Sequence, residues 1–177
     1  MFFMPGWMIS IVTFPGVIVH EMAHQLFCRV SRVAVLDVCY FRVGNPAGYV
    51  IHETPRYASQ HVLIGIGPFI VNSVLGALIA APAAIPVIQF GAGNLLDFAL
   101  IWLGVSIAMH AFPSTGDAKS IWSAIVKQPA FSFARIVGTP IVGVIYLGAL
   151  GSFFWVDLVY GVALAMLVPR ALIALMA

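Results

Sequence analysis

Charge is what this chain of 177 residues has least of. Asp, Glu, Lys and Arg together make up 8% of it, against roughly 25% in soluble domains. So little charge cannot coat a water-facing surface. Eight basic and six acidic residues leave a formal charge of +2, with no basic run interleaved with aromatics that would track a phosphate backbone, so nucleic acid is not an expected partner. Cysteine is rare too. Cys28 and Cys39 form no Cys-x-x-Cys pair and no regular framework, so they read as free thiols and exclude a disulfide-stapled fold. No repeat or low-complexity tract is present. A basic leader with a small-residue cleavage site is also missing, and the first apolar stretch is expected to be retained.

What is abundant is apolar surface, at 62% of residues. A helix needs about 20 apolar residues to cross a bilayer. Five stretches qualify: Trp7–Phe27, Val62–Pro82, Leu95–Phe112, Ala134–Phe153 and Asp157–Met176. The expected fold class is therefore an all-α integral membrane protein, one domain over residues 1–177, with about five transmembrane helices. The last two stretches are divided only around Gly151 to Asp157 and could instead form one span plus an interfacial helix. Positive residues near helix ends stay cytoplasmic. With an outside N-terminus, five crossings place Arg29, Arg32, Arg42, Arg56, Lys119, Lys127, Arg135 and Arg170 on or toward the cytoplasmic side. Between the first two stretches, Val33 to Glu53 is rich in β-branched and aromatic residues around the turn-forming Gly44-Asn45-Pro46-Ala47-Gly48, which predicts a small cytoplasmic β-hairpin.

His20-Glu21-Met22-Ala23-His24 carries the chemistry. Two histidines four residues apart project from one helical face about 6 Å apart in rise, a spacing at which they can share one tetrahedral Zn²⁺. Glu21 is then placed to take a proton from water activated at the metal. A chance match in a chain with five histidines has a probability on the order of 10⁻³. The bland alternative is a pair of hydrogen-bonded core histidines beside a buried carboxylate. It loses weight here because ionisable groups within an apolar span are costly and usually functional.

Catalytic zinc takes three protein ligands and leaves a fourth position to water. Asp117, His110, His52, Glu53, His61 and Cys28 are the candidates for the third. Cys28 lies one turn further along the same helix and overshoots a metal held by His20 and His24. Asp117 follows the cytoplasmic end of the third stretch and so reaches the depth of the histidines; the bland alternative is that it only caps a helix starting at Ala118. His52-Glu53 offers a second acid/base pair or a solvated turn, and His61 is expected at the water interface.

With these residues in place, the sequence resembles the site-2 protease family of intramembrane zinc metalloproteases. That family has H-E-x-x-H in one transmembrane helix and an Asn-x-x-Pro stretch followed by Leu-Asp-Gly at the end of a later one. The first motif matches at His20, Glu21 and His24. In the second, His110 stands where the family has Asn, Pro113 matches, and Thr115-Gly116-Asp117 replaces Leu-Asp-Gly with the Asp shifted by one. Gly67-Pro68-Phe69-Ile70-Val71-Asn72 is similar to the family's Gly-Pro-x-x-x-Asn signature. The resemblance runs from about Ile9 to Trp122. It implies a three-helix core over about 7–122, with further helices over about 134–176 and no appended PDZ or CBS-like domain.

The resemblance implies one Zn²⁺ per chain on His20, His24 and Asp117, with Glu21 as general base. It places Asn72 near the substrate backbone or the oxyanion, with His110 shaping the site. It also implies that the Val33–Glu53 segment pairs with an unwound, membrane-anchored peptide substrate, supplying main-chain hydrogen bonds that the bilayer cannot. The expected activity is zinc-dependent endopeptidase action within or next to the membrane. The competing class is a non-proteolytic membrane protein that keeps the fold and binds transmembrane segments. Binding alone needs no general base, and Glu21 argues against it.

Overall fold

A computed structural model describes residues 6–176 of the chain. The first apolar stretch is not one straight helix. Helices α1 (Gly6–Val12) and α2 (Phe14–Val30) meet at Thr13 with a bend of 91°. Pro15 accounts for the break, because it has no N–H to donate and its ring clashes with the carbonyl four residues earlier. Side chains seal the opened backbone. Thr13 Oγ1 donates to Ile9 O (2.7 Å), Ser106 Oγ donates to Thr13 O (3.0 Å), and Gly16 N donates to Ser106 Oγ (3.2 Å).

The chain then forms the expected hairpin. Strands β1 (Val35–Cys39) and β2 (Tyr49–His52) pair antiparallel with Val38 opposite Val50, and a bulge lies between Val35 and Asp37. Helix α3 (Ala58–Phe90) follows. At 33 residues it is about 50 Å long, well beyond the roughly 30 Å of a hydrocarbon core. It overruns the expected Val62–Pro82 at both ends, passes through Pro68, Pro82 and Pro86, and stops at Gly91, whose φ of 61° is left-handed. Helix α4 (Leu95–Met109) is short, at 15 residues. Helix α5 (Thr115–Ile125) was not among the apolar stretches, being amphipathic and rich in small polar residues. Helix α6 (Phe133–Gly151), a 3₁₀ turn (Ser152–Phe154) and α7 (Val156–Met176) complete the order.

Among the described residues, two helical stretches are long and apolar enough to cross a membrane: Ala58–Val87 and Phe133–Phe154. The bent α1–α2 pair makes a third if it counts as one span. This is fewer than the five stretches in the sequence, in part because α4 is short and α1 turns away from α2. Leu63, Ile70, Leu78, Val144, Leu147 and Leu150 on these helices are exposed, as the lipid-facing side of a membrane helix would be.

Two packing zones position the site. In the first, α3 and α4 approach through small residues: a Cβ on Gly76 would meet Ala108 Cβ at 2.7 Å, and one on Gly104 would meet Ala80 Cβ at 2.7 Å. Small residues at a membrane helix interface allow this backbone approach. In the second, the start of α3 joins α5 and α6 in a cluster of Ala58, Ala118, Ile121, Ile125, Val142 and Ile145. Helix α7 packs mainly on α3 and α4, and α6 mainly on α5.

Gly16 is where α2 touches α4. A Cβ there would fall on the carbonyl oxygen of Ser106 and lie 2.6 Å from His110 Cδ2. Neither the backbone nor a buried ring can yield cheaply. Gly16→Ala should therefore cost at least the 1–3 kcal/mol typical of overpacking, read as a lower unfolding midpoint in detergent. An unchanged midpoint would mean that the α2–α4 contact is looser than described.

Candidate metal centre

His20 and His24 lie on consecutive turns of α2, with ring centroids 4.9 Å apart at 77°. Each ring is aimed by a backbone carbonyl. His20 Nδ1 lies 2.7 Å from His110 O, and His24 Nδ1 lies 3.0 Å from Ile64 O. A carbonyl only accepts, so both rings carry their proton on Nδ1 and present a bare Nε2 to the same space. This is how metal-bound histidines are usually oriented.

Those carbonyls are available for reasons written in the chain. His110 ends α4, and the last carbonyls of a helix have no donor within it. Ile64 O would normally accept from the N–H four residues later, but that residue is Pro68.

Asp117 supplies the third donor. Ser114 caps α5, and Asp117 is its third residue: Asp117 Oδ2 accepts from Ser114 N (2.8 Å) and from Ser114 Oγ (2.6 Å), while Asp117 N donates to Ser114 Oγ (3.2 Å). The cap is therefore Ser114, and the helix starts at Thr115 and not at Ala118. Capping engages one carboxylate oxygen. The other, Oδ1, lies 3.6 Å from His24 Nε2. One donor atom from each of His20, His24 and Asp117 falls within 4.8 Å of the other two, a group that could hold a metal ion. A tetrahedral ion with bonds of about 2.0–2.1 Å needs donors about 3.3 Å apart, so the three donors would have to draw together by up to about 1.5 Å to hold one.

Glu21 is buried beside this group, lining the same cavity of about 460 Å³. The loop before β2 lies directly over it. A Cβ on Gly48 would meet Glu21 Cγ at 2.6 Å and Tyr40 O at 3.0 Å, so only glycine lets the hairpin close on the carboxylate. Val17, Met109 and Phe112 form apolar walls, and no Lys or Arg lines the cavity among the described residues.

The remaining sequence candidates fall outside the donor group. His110 lines the cavity, but its Nε2 is 2.8 Å from Thr13 Oγ1 at the bend. His52 also lines it, with Nδ1 turned to Glu53 O (2.7 Å); Glu53 is exposed and is not part of the wall. His61 is held by Ser120 Oγ (2.9 Å) and Pro55 O (3.2 Å) and ties α3 to α5. Cys28 is fully buried in an apolar cluster with Val33 and Ile64.

Asn72 is close to the site without facing the cavity. It is completely buried, and its Nδ2 lies 3.0 Å from Ile107 O, 3.2 Å from Gly16 O and 3.3 Å from His110 O. Its amide therefore spans three helices and shares with His20 the carbonyl of His110. Contact with a substrate backbone or an oxyanion, implied by the resemblance, does not follow from this placement. Asn72→Ala should weaken metal binding by about 10 to 100-fold, the usual effect of losing a group behind a ligand. Competitive metal titration in detergent reads it, and an unchanged affinity would separate Asn72 from the site.

Sequence reasoning passed over Ser114, Gly48, Thr13 and Asp157. Ser114-Thr115-Gly116-Asp117 has the form of a capping box and could have been read as one. Asp157, buried on the cavity wall at the start of α7, carries the signal of a carboxylate in an apolar stretch. Gly48 and Thr13 carry none, since only the tertiary contacts give them meaning. Compared with protein-family models, curated proteins and solved structures, the chain matches none of them.

Proposed function

We propose that the chain is a membrane-embedded zinc endopeptidase that cleaves membrane-anchored peptides, with its site toward the cytoplasmic side. One observation carries the reading: His20, His24 and Asp117 bring three donor atoms within 4.8 Å of one another beside a buried glutamate in a shared cavity. Two imidazoles and a carboxylate are a familiar donor set of catalytic zinc. Bound there, zinc would polarise a substrate carbonyl and bring the pKa of a water to about 7. Glu21 would take the proton of that water and pass it to the leaving amine. The apolar walls around it limit solvent, and the hairpin loop over Glu21 narrows access further.

Purified protein in detergent should contain about one zinc per chain. Cleavage of a membrane-anchored reporter peptide should stop on chelation and return with added Zn²⁺. A chain that binds no zinc, or one that cuts equally well in chelator, sinks the reading.

The proposal includes five crossings with the N-terminus outside, carried by the one-sided distribution of the eight basic residues. Single cysteines introduced on a background lacking Cys28 and Cys39 can map it. Residues 91–93 are expected to label only from outside, and labelling from the cytoplasm would overturn the topology.

A further inference from the structure

Three prolines lie within α3, and only one of them stands against the metal centre. In a continuous helix the carbonyl of residue 64 receives the N–H of residue 68. Because residue 68 is Pro, Ile64 O lacks the usual helical donor four residues on, yet the helix continues through it. The vacancy is filled from outside the helix by His24 Nδ1 at 3.0 Å. The contact is buried, and a carbonyl left without any donor there would cost about 1–3 kcal/mol. The neighbouring residue allows the approach: a Cβ on Gly67 would collide with the ring of Phe27, which lies one turn beyond His24 on α2.

We infer that Pro68 is a positioning residue for the metal centre: by withholding its N–H, it reserves the carbonyl of Ile64 for His24 and so fixes that ring with Nδ1–H inward and bare Nε2 toward the metal. The inference rests on the proposed zinc site for its function, but its structural content concerns His24 alone. Pro82 and Pro86 lie further along the same helix and provide internal controls. Pro68 is fully buried and does not line the cavity, so its effect would pass through His24.

Pro68→Ala restores the missing donor. The new N–H competes with His24 for Ile64 O, and an interior proline is a poor helix residue in any case. The expected result is unusual for a buried substitution: an unfolding midpoint equal to or above wild type, together with a zinc affinity lower by about 10 to 100-fold. A purely structural role for Pro68 predicts no such split. Pro82→Ala and Pro86→Ala should leave zinc affinity within about twofold.

A second measurement does not depend on metal. In the metal-free protein, ¹⁵N NMR of histidine side chains should find His24 protonated at Nδ1 in wild type and shifted toward Nε2–H in Pro68→Ala. If wild type binds no zinc but the tautomer shifts as stated, the zinc reading fails and the role of Pro68 stands. If zinc affinity and the His24 tautomer are both unchanged in Pro68→Ala, the inference is wrong. A Pro68→Ala protein that loses stability as well as zinc also counts against it, since helix repair would then not be the cause.

Discussion

Glu21→Gln should leave zinc bound and slow peptide hydrolysis by about 10² to 10⁴-fold, the usual contribution of a positioned acid/base group. The geometry makes this substitution unusually clean. Glu21 is not one of the three convergent donors, so the metal keeps all its protein ligands. Glutamine has the same length and fills the same space under Gly48, whose position leaves no room for a larger group near Glu21 Cγ. Only the ability to accept and return a proton is lost. Zinc stoichiometry and turnover of a membrane-anchored peptide, measured on the same preparation, separate the possible outcomes. Cleavage near the wild-type rate would remove Glu21 from the chemistry. A wild-type protein that binds transmembrane segments without cutting them would favour the non-proteolytic class, and Glu21 would then have a packing role.

How much of this was legible in the sequence depends on the range of the interaction involved. His20 and His24 were readable together because helical periodicity alone puts residues four apart on one face. The hairpin was readable from β-branched residues on either side of a turn, and β1 and β2 fall inside the expected Val33–Glu53. Apolar length located the long helices, but it could not place the bend at Thr13. The bend is held by contacts of Thr13 with Ser106 and His110, more than 90 residues away. The count of crossings was vulnerable for the same reason, since apolar composition does not say whether a helix is straight.

Asn72 is the sharpest case of partial legibility. The Gly-Pro-x-x-x-Asn pattern directed attention to a segment of α3 that packs beside the three residues that could hold a metal ion. Its residues nevertheless act on backbone carbonyls of neighbouring helices: Pro68 by leaving Ile64 O open and Asn72 by holding His110 O. A pattern of residue types can show that Pro68 frees the carbonyl four residues earlier, but not which side chain of a neighbouring helix will take it.

The remaining large effect concerns the third ligand. Asp117→Ala should cost zinc affinity well beyond 100-fold, and His110→Ala should fall within the 10 to 100-fold typical of supporting groups. His110 is chemically a plausible ligand, and its ring lies on the cavity wall. Yet its Nε2 is taken up by Thr13 Oγ1, and the atom it contributes to the site is its backbone oxygen, which no side-chain substitution removes. His20 therefore keeps its partner in His110→Ala, and the damage passes through the bend at Thr13. Asp117 differs in kind. Its Oδ1 faces His24 Nε2 at 3.6 Å while Ser114 fixes Oδ2, so the carboxylate is aimed at the donor group before any ion arrives. It also brings a negative charge to a dication in a low-dielectric setting, which neutral imidazole cannot do. Ser114→Ala provides a graded control: it leaves the carboxylate in place but removes the hydroxyl that orients it, and should give a loss between wild type and Asp117→Ala. Competitive zinc titration of the three variants in detergent decides the assignment. A larger loss for His110→Ala than for Asp117→Ala would reverse it.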